Sequence, residues 1–391
     1  MAPVSPRFVD VTTFAVEEEA AYTKHFREQG FVVVRDVLNA SEVQETIDEI
    51  WSCHSLLGGG ALDRKEPRSW DAWPGGSRNF VESKDPTAEL QTWRNRVNGT
   101  LNRVFDVLWE SFVPGASEGL VMSVDRLGLM RPTLWRETET ETIERPEWRT
   151  SRDWLHWDQN PWAMPEFEAM QGFISLSGSR SSGGFVTVPE FQQHFAQWSK
   201  DHPEGSIPKR SKTMIPFPVP LEDEMQARRC KIVVPSGGLL VWDSRLPHEN
   251  FPNTGEDWRV VQYVTCKRLS PADVLARATA WQNGLRTGLI PCSFAQRYTA
   301  AEQLRLGMTT EDTTLTLETA VKEGENLSEE QREAAQKLKR AYRLKQSAEL
   351  PDELKEAVQL FREAFEVNPE LREVLQQIGR AESSYLPFWI I

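Results

Sequence analysis

Residues 153–162 read DWLHWDQNPW, a histidine and an aspartate two positions apart among three tryptophans. In a strand, residues i and i+2 point to one side, so His156 and Asp158 would present an imidazole and a carboxylate together, with Trp157 facing away. A lone His-x-Asp also arises by chance on surface strands, so the rest of the chain has to decide. Downstream, residues 237–267 read GGLLVWDSRLPHENFPNTGEDWRVVQYVTCK. This stretch puts a second histidine, His248, in a turn-rich segment between two strand-like runs, and Arg259 opens the next run eleven residues later.

The neighbouring stretches share this period of two. GLVMSVDRLGLM (119–130), QGFISLSG (171–178), FVTV (185–188) and KIVV (231–234) are short β-rich runs bounded by turn residues. The alternation in RETETETIER (136–145) predicts an exposed hairpin. Many short strands with little helix between them point to an antiparallel sandwich or barrel rather than a parallel α/β sheet. Upstream, TKHFREQGFVVVRDVLNASEVQETIDEIW (23–51) predicts a helix ending near Gly30 and a strand over Phe31 to Val34. A second helix follows, with Ser41 and Gln44 as its capping box. Pro189 is expected to open a helix over PEFQQHFAQW. From Pro271 the period becomes helical, with amphipathic segments over Ser328 to Lys345 and Asp352 to Phe365. The chain is therefore expected to be mainly β with flanking helices (α+β), as a β domain over 1–270 and a helical C-terminal extension over 271–391. Those helices are expected to buttress the sandwich or to form a homo-oligomer contact. The apolar tail YLPFWII (385–391) is expected to be docked.

Composition narrows the function. Fifty-eight acidic against 45 basic residues give a formal net charge of -13, which argues against nucleic acid as a partner. The local basic run 208–212 reads as a solvated loop. The four cysteines form no C-x-x-C pair, so neither a zinc ribbon nor a disulfide framework is indicated. With no signal-peptide pattern at the start and no apolar run long enough for a bilayer, a cytoplasmic setting without a membrane partner is expected.

Two imidazoles and a carboxylate can hold one face of a metal and leave positions open for O₂ and a co-substrate, as in non-haem Fe(II) oxygenases. A guanidinium nearby can grip a carboxylate through two parallel hydrogen bonds. The order H-x-D, long insert, H, then R at +11 resembles the phytanoyl-CoA dioxygenase superfamily of Fe(II)- and 2-oxoglutarate-dependent oxygenases. GFVVVRDVL (30–38) is similar to that family's N-terminal signature, GGFVTVPEF (183–191) to its Gly-rich strand, and WDSRLPHEN (242–250) to its distal-histidine segment. The likeness covers about residues 25–268 and excludes the C-terminal helices. Where many members read P-G-S-H after the Gly-rich strand, this chain has Pro189-Glu190-Phe191-Gln192.

The resemblance implies a double-stranded β-helix (jelly-roll, cupin-like) core, with His156, Asp158 and His248 as iron ligands. It implies Arg259 as the anchor of the distal carboxylate of 2-oxoglutarate, with Thr187, Asn250 and Gln171 as further candidates for that pocket. O₂ would be the second co-substrate, and succinate and CO₂ would leave. The substrate is expected to be a small, apolar or aromatic metabolite, most often hydroxylated, with the secondary-metabolism branch the nearer likeness. Trp70, Trp73, Trp154, Trp162 and Arg245 are substrate-side candidates. Trp70 and Trp73 lie on a loop over Gly58 to Arg78 that either closes over the pocket as a lid or caps a hydrophobic edge. Asp243 and Arg245 are candidates for orienting His248. Two other readings compete. A same-fold halogenase wants the carboxylate ligand absent, whereas Asp158 is present. A non-catalytic jelly-roll that binds a metal or small ligand has no need of all four groups.

Overall fold

In the computed structural model, which describes residues 5–52, 62–73, 79–81, 90–115, 119–177, 183–205, 217–310, 314–347 and 351–374, the helix Glu19–Gln29 stops at Gly30 in the left-handed region, φ 78°. A Cβ at Gly30 would sit 2.9 Å from Leu246 Cγ, so glycine alone satisfies both the turn and the close approach. The chain then enters the buried strand Phe31–Val34. The next helix, Ala40–Ser52, is capped two residues earlier than the sequence predicts. Asn39 Oδ1 accepts from Glu42 N at 3.0 Å, and Asn39 N donates to Glu42 Oε2 at 2.9 Å. Ser41 and Gln44 instead bond to Glu45 and Asp48 one turn on. Pro189 likewise opens no helix. Glu190 takes φ 68°, a 3₁₀ turn follows over Phe191–Gln193, and the helix proper is Phe195–Asp201.

Two compact units divide the chain, one within Met1–Ser83, Arg94–Ser117 and Asp125–Lys267, the other within Lys84–Trp93, Glu118–Val124 and Arg268–Ile391. The first carries the β structure. One sheet runs in the order Arg7–Val9, Cys230–Ile232, Gly184–Thr187, His248–Phe251, His156–Trp157, Phe217–Pro218. The other runs Thr13–Phe14, Phe31–Val34, Leu239–Asp243, Met170–Ser175, Arg259–Arg268, Leu127–Met130, Phe80–Val81. Met170–Ser175 pairs antiparallel on both sides, whereas the edge strands Arg7–Val9 and Thr13–Phe14 join in parallel. Trp157, Phe185 and Ile232 from the first sheet meet Val33, Phe173, Leu240 and Val261 from the second in one buried core. This is a jelly-roll: two sheets packed through alternating side chains. RETETETIER forms the two-stranded ribbon Leu134–Arg136 with Thr142–Glu144.

The second unit is helical over Pro271–Arg286, Cys292–Ala295, Ala300–Arg305, Thr314–Glu325, Glu329–Ser347 and Pro351–Val367. Trp281 stacks on Phe294 (5.6 Å, 11°), and the fully buried Arg277 donates to the carbonyls of Leu306 and Met122 at 2.8 and 2.7 Å. The last two helices pack on each other with Ala357 and Ala364 buried, while Leu354 and Val358 are exposed. Small residues permit the close approach. Among the described residues no helix is long and apolar enough to cross a membrane. The basic run 208–212, the tail 385–391 and the parts 58–61 and 74–78 of the Gly58–Arg78 loop lie outside the described residues.

Candidate metal centre

His156 opens the two-residue strand His156–Trp157, and its partner across the ladder is His248, the first residue of His248–Phe251. Register therefore brings the two imidazoles together, their ring centroids 4.6 Å apart. Asp158 follows one residue beyond the strand and points the same way as His156. Its Oδ1 lies 3.6 Å from His156 Nε2 and its Oδ2 3.5 Å from His248 Nε2. One ligand-type atom from each of the three lies within 4.8 Å of the others.

The outward-facing ring nitrogens fix the tautomers. His156 Nδ1 is 3.1 Å from the Trp154 carbonyl, and His248 Nδ1 is 3.1 Å from the Leu246 carbonyl. A carbonyl only accepts, so in each neutral ring Nδ1 carries the proton and Nε2 offers its lone pair to the centre. Burial pushes the His156 imidazolium down, favouring that neutral form against the attraction of Asp158. Burial would push the Asp158 carboxyl up, but the two histidines facing it outweigh this and hold it well below the usual carboxylate range. Gln171 Nε2 donates to Asp158 Oδ2 at 2.7 Å. This group is thus a bracing partner of the carboxylate.

A cavity of about 110 Å³ opens on the three residues. Phe80, Trp154, Phe185 and Trp242 give it aromatic walls; Asp125, Arg126, Gln171, Asn250, Tyr263 and Thr265 give it polar ones. Trp154 stacks on His156 (4.8 Å, 17°), and Phe185 stacks on His248 (6.0 Å, 20°). Phe185 also lines a second, smaller cavity that contains Arg259, Ser175, Ser177 and Gly183. Arg259 is buried there, 4% exposed, with its guanidinium carbon 5.4 Å from the centre of the Phe173 ring and Nη1 3.9 Å from Met130 Sδ. Its Nη2 is buried and has no hydrogen-bond partner among the described residues. Burial pushes the Arg259 pKa down, and Tyr263 opposes that shift. Gly183, at φ 91°, makes the room: a Cβ there would lie 2.8 Å from the Phe251 carbonyl and 3.1 Å from Arg259 Cδ.

The other sequence candidates scatter. Asn250 lines the larger cavity and donates to the Tyr263 hydroxyl at 2.8 Å. Thr187 spends its hydroxyl on the Pro247 carbonyl at 2.8 Å, bracing the residue before His248. Arg245 grips Asp243 through Nε (3.0 Å) and Nη2 (2.7 Å), so this pair locks the turn leading to His248. Trp162 donates to the His202 carbonyl at 2.7 Å and packs on Trp198 and Phe217. Trp70 and Trp73 converge on Trp258 at 4.8 and 5.1 Å, within a cluster that includes Trp51, Trp135 and Trp148. Neither they, nor Trp162, nor Arg245 is among the residues lining the two cavities. Their ring and ion partners lie elsewhere, which is the physical reason. Tyr263 and Thr265 had a readable signal: alternation from Arg259 puts 261, 263 and 265 on the same face. Glu249 had none, since a charge beside a histidine reads as solvated.

The phytanoyl-CoA dioxygenase family model matches residues 26–261. A putative phytanoyl-CoA dioxygenase of Dictyostelium discoideum is 24% identical over 280 residues, covering 61% of this chain and 72% of its own length. Ava biosynthesis cluster protein O of Aspergillus versicolor is 21% identical over 271 residues, covering 66% and 80%. Among solved structures, the non-heme alpha-ketoglutarate-dependent epimerase SnoN of nogalamycin biosynthesis superposes with a TM-score of 0.42 at 13% identity, over 64% of this chain and 81% of its own. EvdO2 of Micromonospora carbonacea var. aurantiaca, complexed with 2-oxoglutarate, gives 0.39 at 14% identity, over 68% and 94%.

Proposed function

The chain belongs to the phytanoyl-CoA dioxygenase family, and from that premise we propose that it is an iron(II)- and 2-oxoglutarate-dependent oxygenase of a small-molecule metabolite. The observation that carries this reading is a His-Asp-His group accompanied by a buried arginine whose Nη2 lacks a partner among the described residues. His156, Asp158 and His248 fit iron: two imidazole Nε2 atoms and one ionised carboxylate on one side, the other side open to the cavity. Arg259 fits the co-substrate, because a buried cation with an unmet donor is stabilised by a carboxylate that reaches it. When bound, ferrous iron supplies the redox chemistry that couples decarboxylation of 2-oxoglutarate, to succinate and CO₂, to oxidation of the substrate by O₂.

The chain's own residues bind and orient. Gln171 holds one Asp158 oxygen, and the Trp154 and Leu246 carbonyls keep the protons at Nδ1 of the two histidines. Arg259 would take the distal carboxylate of 2-oxoglutarate, with Asn250 and Tyr263 beside it. The aromatic walls keep water from the reacting atoms. Phe80, Trp154 and Trp242 suit a flat, largely apolar substrate, and Asp125 and Thr265 suit a polar group carried on it. Hydroxylation is the expected outcome. We assign the chemistry to 1–270 and treat 271–391 as a helical extension. The test is the purified chain with Fe(II), 2-oxoglutarate and candidate aromatic metabolites, followed by mass spectrometry. Iron-dependent succinate release with a product 16 mass units heavier, about one oxygen atom, is expected. Tight metal binding without succinate release under any substrate would make the chain a binding module instead.

A further inference from the structure

The strand that carries His156 is short. It spans two residues, and its pairing with His248–Phe251 consists of the single register pair His248↔His156. The segment leading into it starts at Asp153, a non-glycine residue at φ 59°, in the left-handed region where a side chain is strained. Something other than the β ladder must hold the Trp154 peptide, because its carbonyl is the group that orients the His156 ring.

Three charged side chains meet at that peptide. Glu249, the residue after His248, accepts the Trp154 N–H on Oε2 at 2.8 Å. Its Oε1 accepts from Arg229 Nη1 at 2.7 Å, and the same nitrogen donates to Asp153 Oδ1 at 3.0 Å. Arg229 and Glu249 are almost fully buried, their side chains 2% and 3% exposed. Arg229 is itself held by Nε donating to the Gln226 carbonyl at 3.1 Å.

We propose that Glu249, backed by Arg229 and Asp153, is a positioning residue for the metal centre, setting the His156 ring through the Trp154 peptide. The inference rests on the reading of His156, Asp158 and His248 as metal ligands. A buried ion pair is weak evidence of stability, since desolvation cancels much of its attraction. Placement gives this one its use. One end is fixed to the residue after the distal histidine; the other grips the peptide two residues before the proximal one. Glu249 holds the N–H of Trp154, Trp154 turns its carbonyl to His156 Nδ1, and His156 Nε2 is thereby aimed at Asp158. Outer hydrogen bonds of this kind orient a ligating ring and fix its tautomer.

The experiment is Co(II) titration of the full-length chain, followed by visible d–d absorption, with no turnover needed. Glu249→Ala is expected to weaken Co(II) binding roughly 10–100-fold and to shift the absorption band. Glu249→Gln, which keeps an oxygen for the Trp154 N–H, is expected to recover most of the affinity. If Glu249→Ala does not fold because Arg229 loses its buried carboxylate partner, Arg229→Met combined with Glu249→Ala removes that charge and takes its place. Wild-type affinity and spectrum in the folded alanine variant would overturn the proposal. So would a Gln variant as weak as the Ala variant, because the route through the Trp154 N–H would then be wrong. Failure of the underlying reading looks different: the unaltered chain would bind no Co(II), or His156→Ala would bind it equally well.

Discussion

Two tryptophan-rich regions of the β unit look alike in the sequence and differ in their contacts. Around the His-Asp-His group, Trp154 stacks on His156, Trp242 lies 5.1 Å from His248, and both rings face a cavity. In the other region, Trp51, Trp70, Trp73, Trp135, Trp148 and Trp258 meet one another at 4.8 to 6.4 Å, with Arg131 4.3 Å over Trp148. Aromatic area serves both, but in the first it surrounds groups with unspent bonding capacity. In the second the rings pack chiefly on one another and on guanidinium groups, and no metal-ligating group joins them among the described residues. A tryptophan is informative about function through its neighbours, not its presence.

The largest effect should come from the ligating groups themselves. His156→Ala or Asp158→Ala is expected to weaken Co(II) binding by more than the roughly 100-fold that losing an outer partner costs, with a melting temperature near that of the unaltered chain. Isothermal titration and a thermal melt check this. Unchanged affinity would place the metal elsewhere and dissolve the contrast between the two regions.

Next is Trp70→Ala. Trp70 is 4% exposed, touches three other indoles and donates to the Asp63 carbonyl at 2.7 Å. Truncating a buried tryptophan costs about 3–5 kcal/mol, so the loss should appear as stability. Chemical denaturation should register it, while the folded variant keeps its Co(II) and 2-oxoglutarate affinities. A stable variant with impaired binding would instead return Trp70 to the role of a lid.

Arg259 tests the boundary of the comparison, since its strand begins one residue after Trp258 yet its guanidinium lies in the cavity with Phe173 and Phe185. Arg259→Leu removes a buried cation whose Nη2 has no partner among the described residues, so the variant should melt at or above the temperature of the unaltered chain. The unaltered chain should gain stability with 2-oxoglutarate, about 2.7 kcal/mol at a hundredfold excess over Kd, and the Leu variant should gain almost none. Arg259→Lys should recover only part, because an ammonium lacks the two-pronged donor geometry. An undiminished shift in the Leu variant would move the carboxylate anchor to another residue.

These outcomes bear on how much of the molecule the sequence made readable. The period-two runs with turn residues between them give a two-sheet β unit, since side-chain alternation is a local property of the chain. The grouping of His156, Asp158 and His248 was legible because residue type and order restrict metal chemistry tightly. Glu249 as the partner of Trp154 and the convergence of six indoles were not. Each depends on which residues become neighbours across long stretches, and no local period encodes that. Gln171 shows a middle case: alternation places it on the cavity face, but only the 2.7 Å bond to Asp158 reveals that its amide braces a carboxylate.

The smallest effect is the most diagnostic. Trp154→Phe keeps an aromatic face against His156 and leaves the Trp154 backbone, held by Glu249, in place. Stacked rings contribute about 0.5–1.5 kcal/mol beyond their buried area, so Co(II) affinity should fall by tenfold or less, and the melt should move by a few degrees. The paired change Trp70→Phe, within the tryptophan cluster, should lower the melting temperature more and leave Co(II) binding alone. The two substitutions remove the same atoms, so any difference between them reports the surroundings. If both move the melt equally and neither moves Co(II) binding, Trp154 is a core residue that happens to border a cavity. The distinction between the two regions would then rest on the ligating side chains alone.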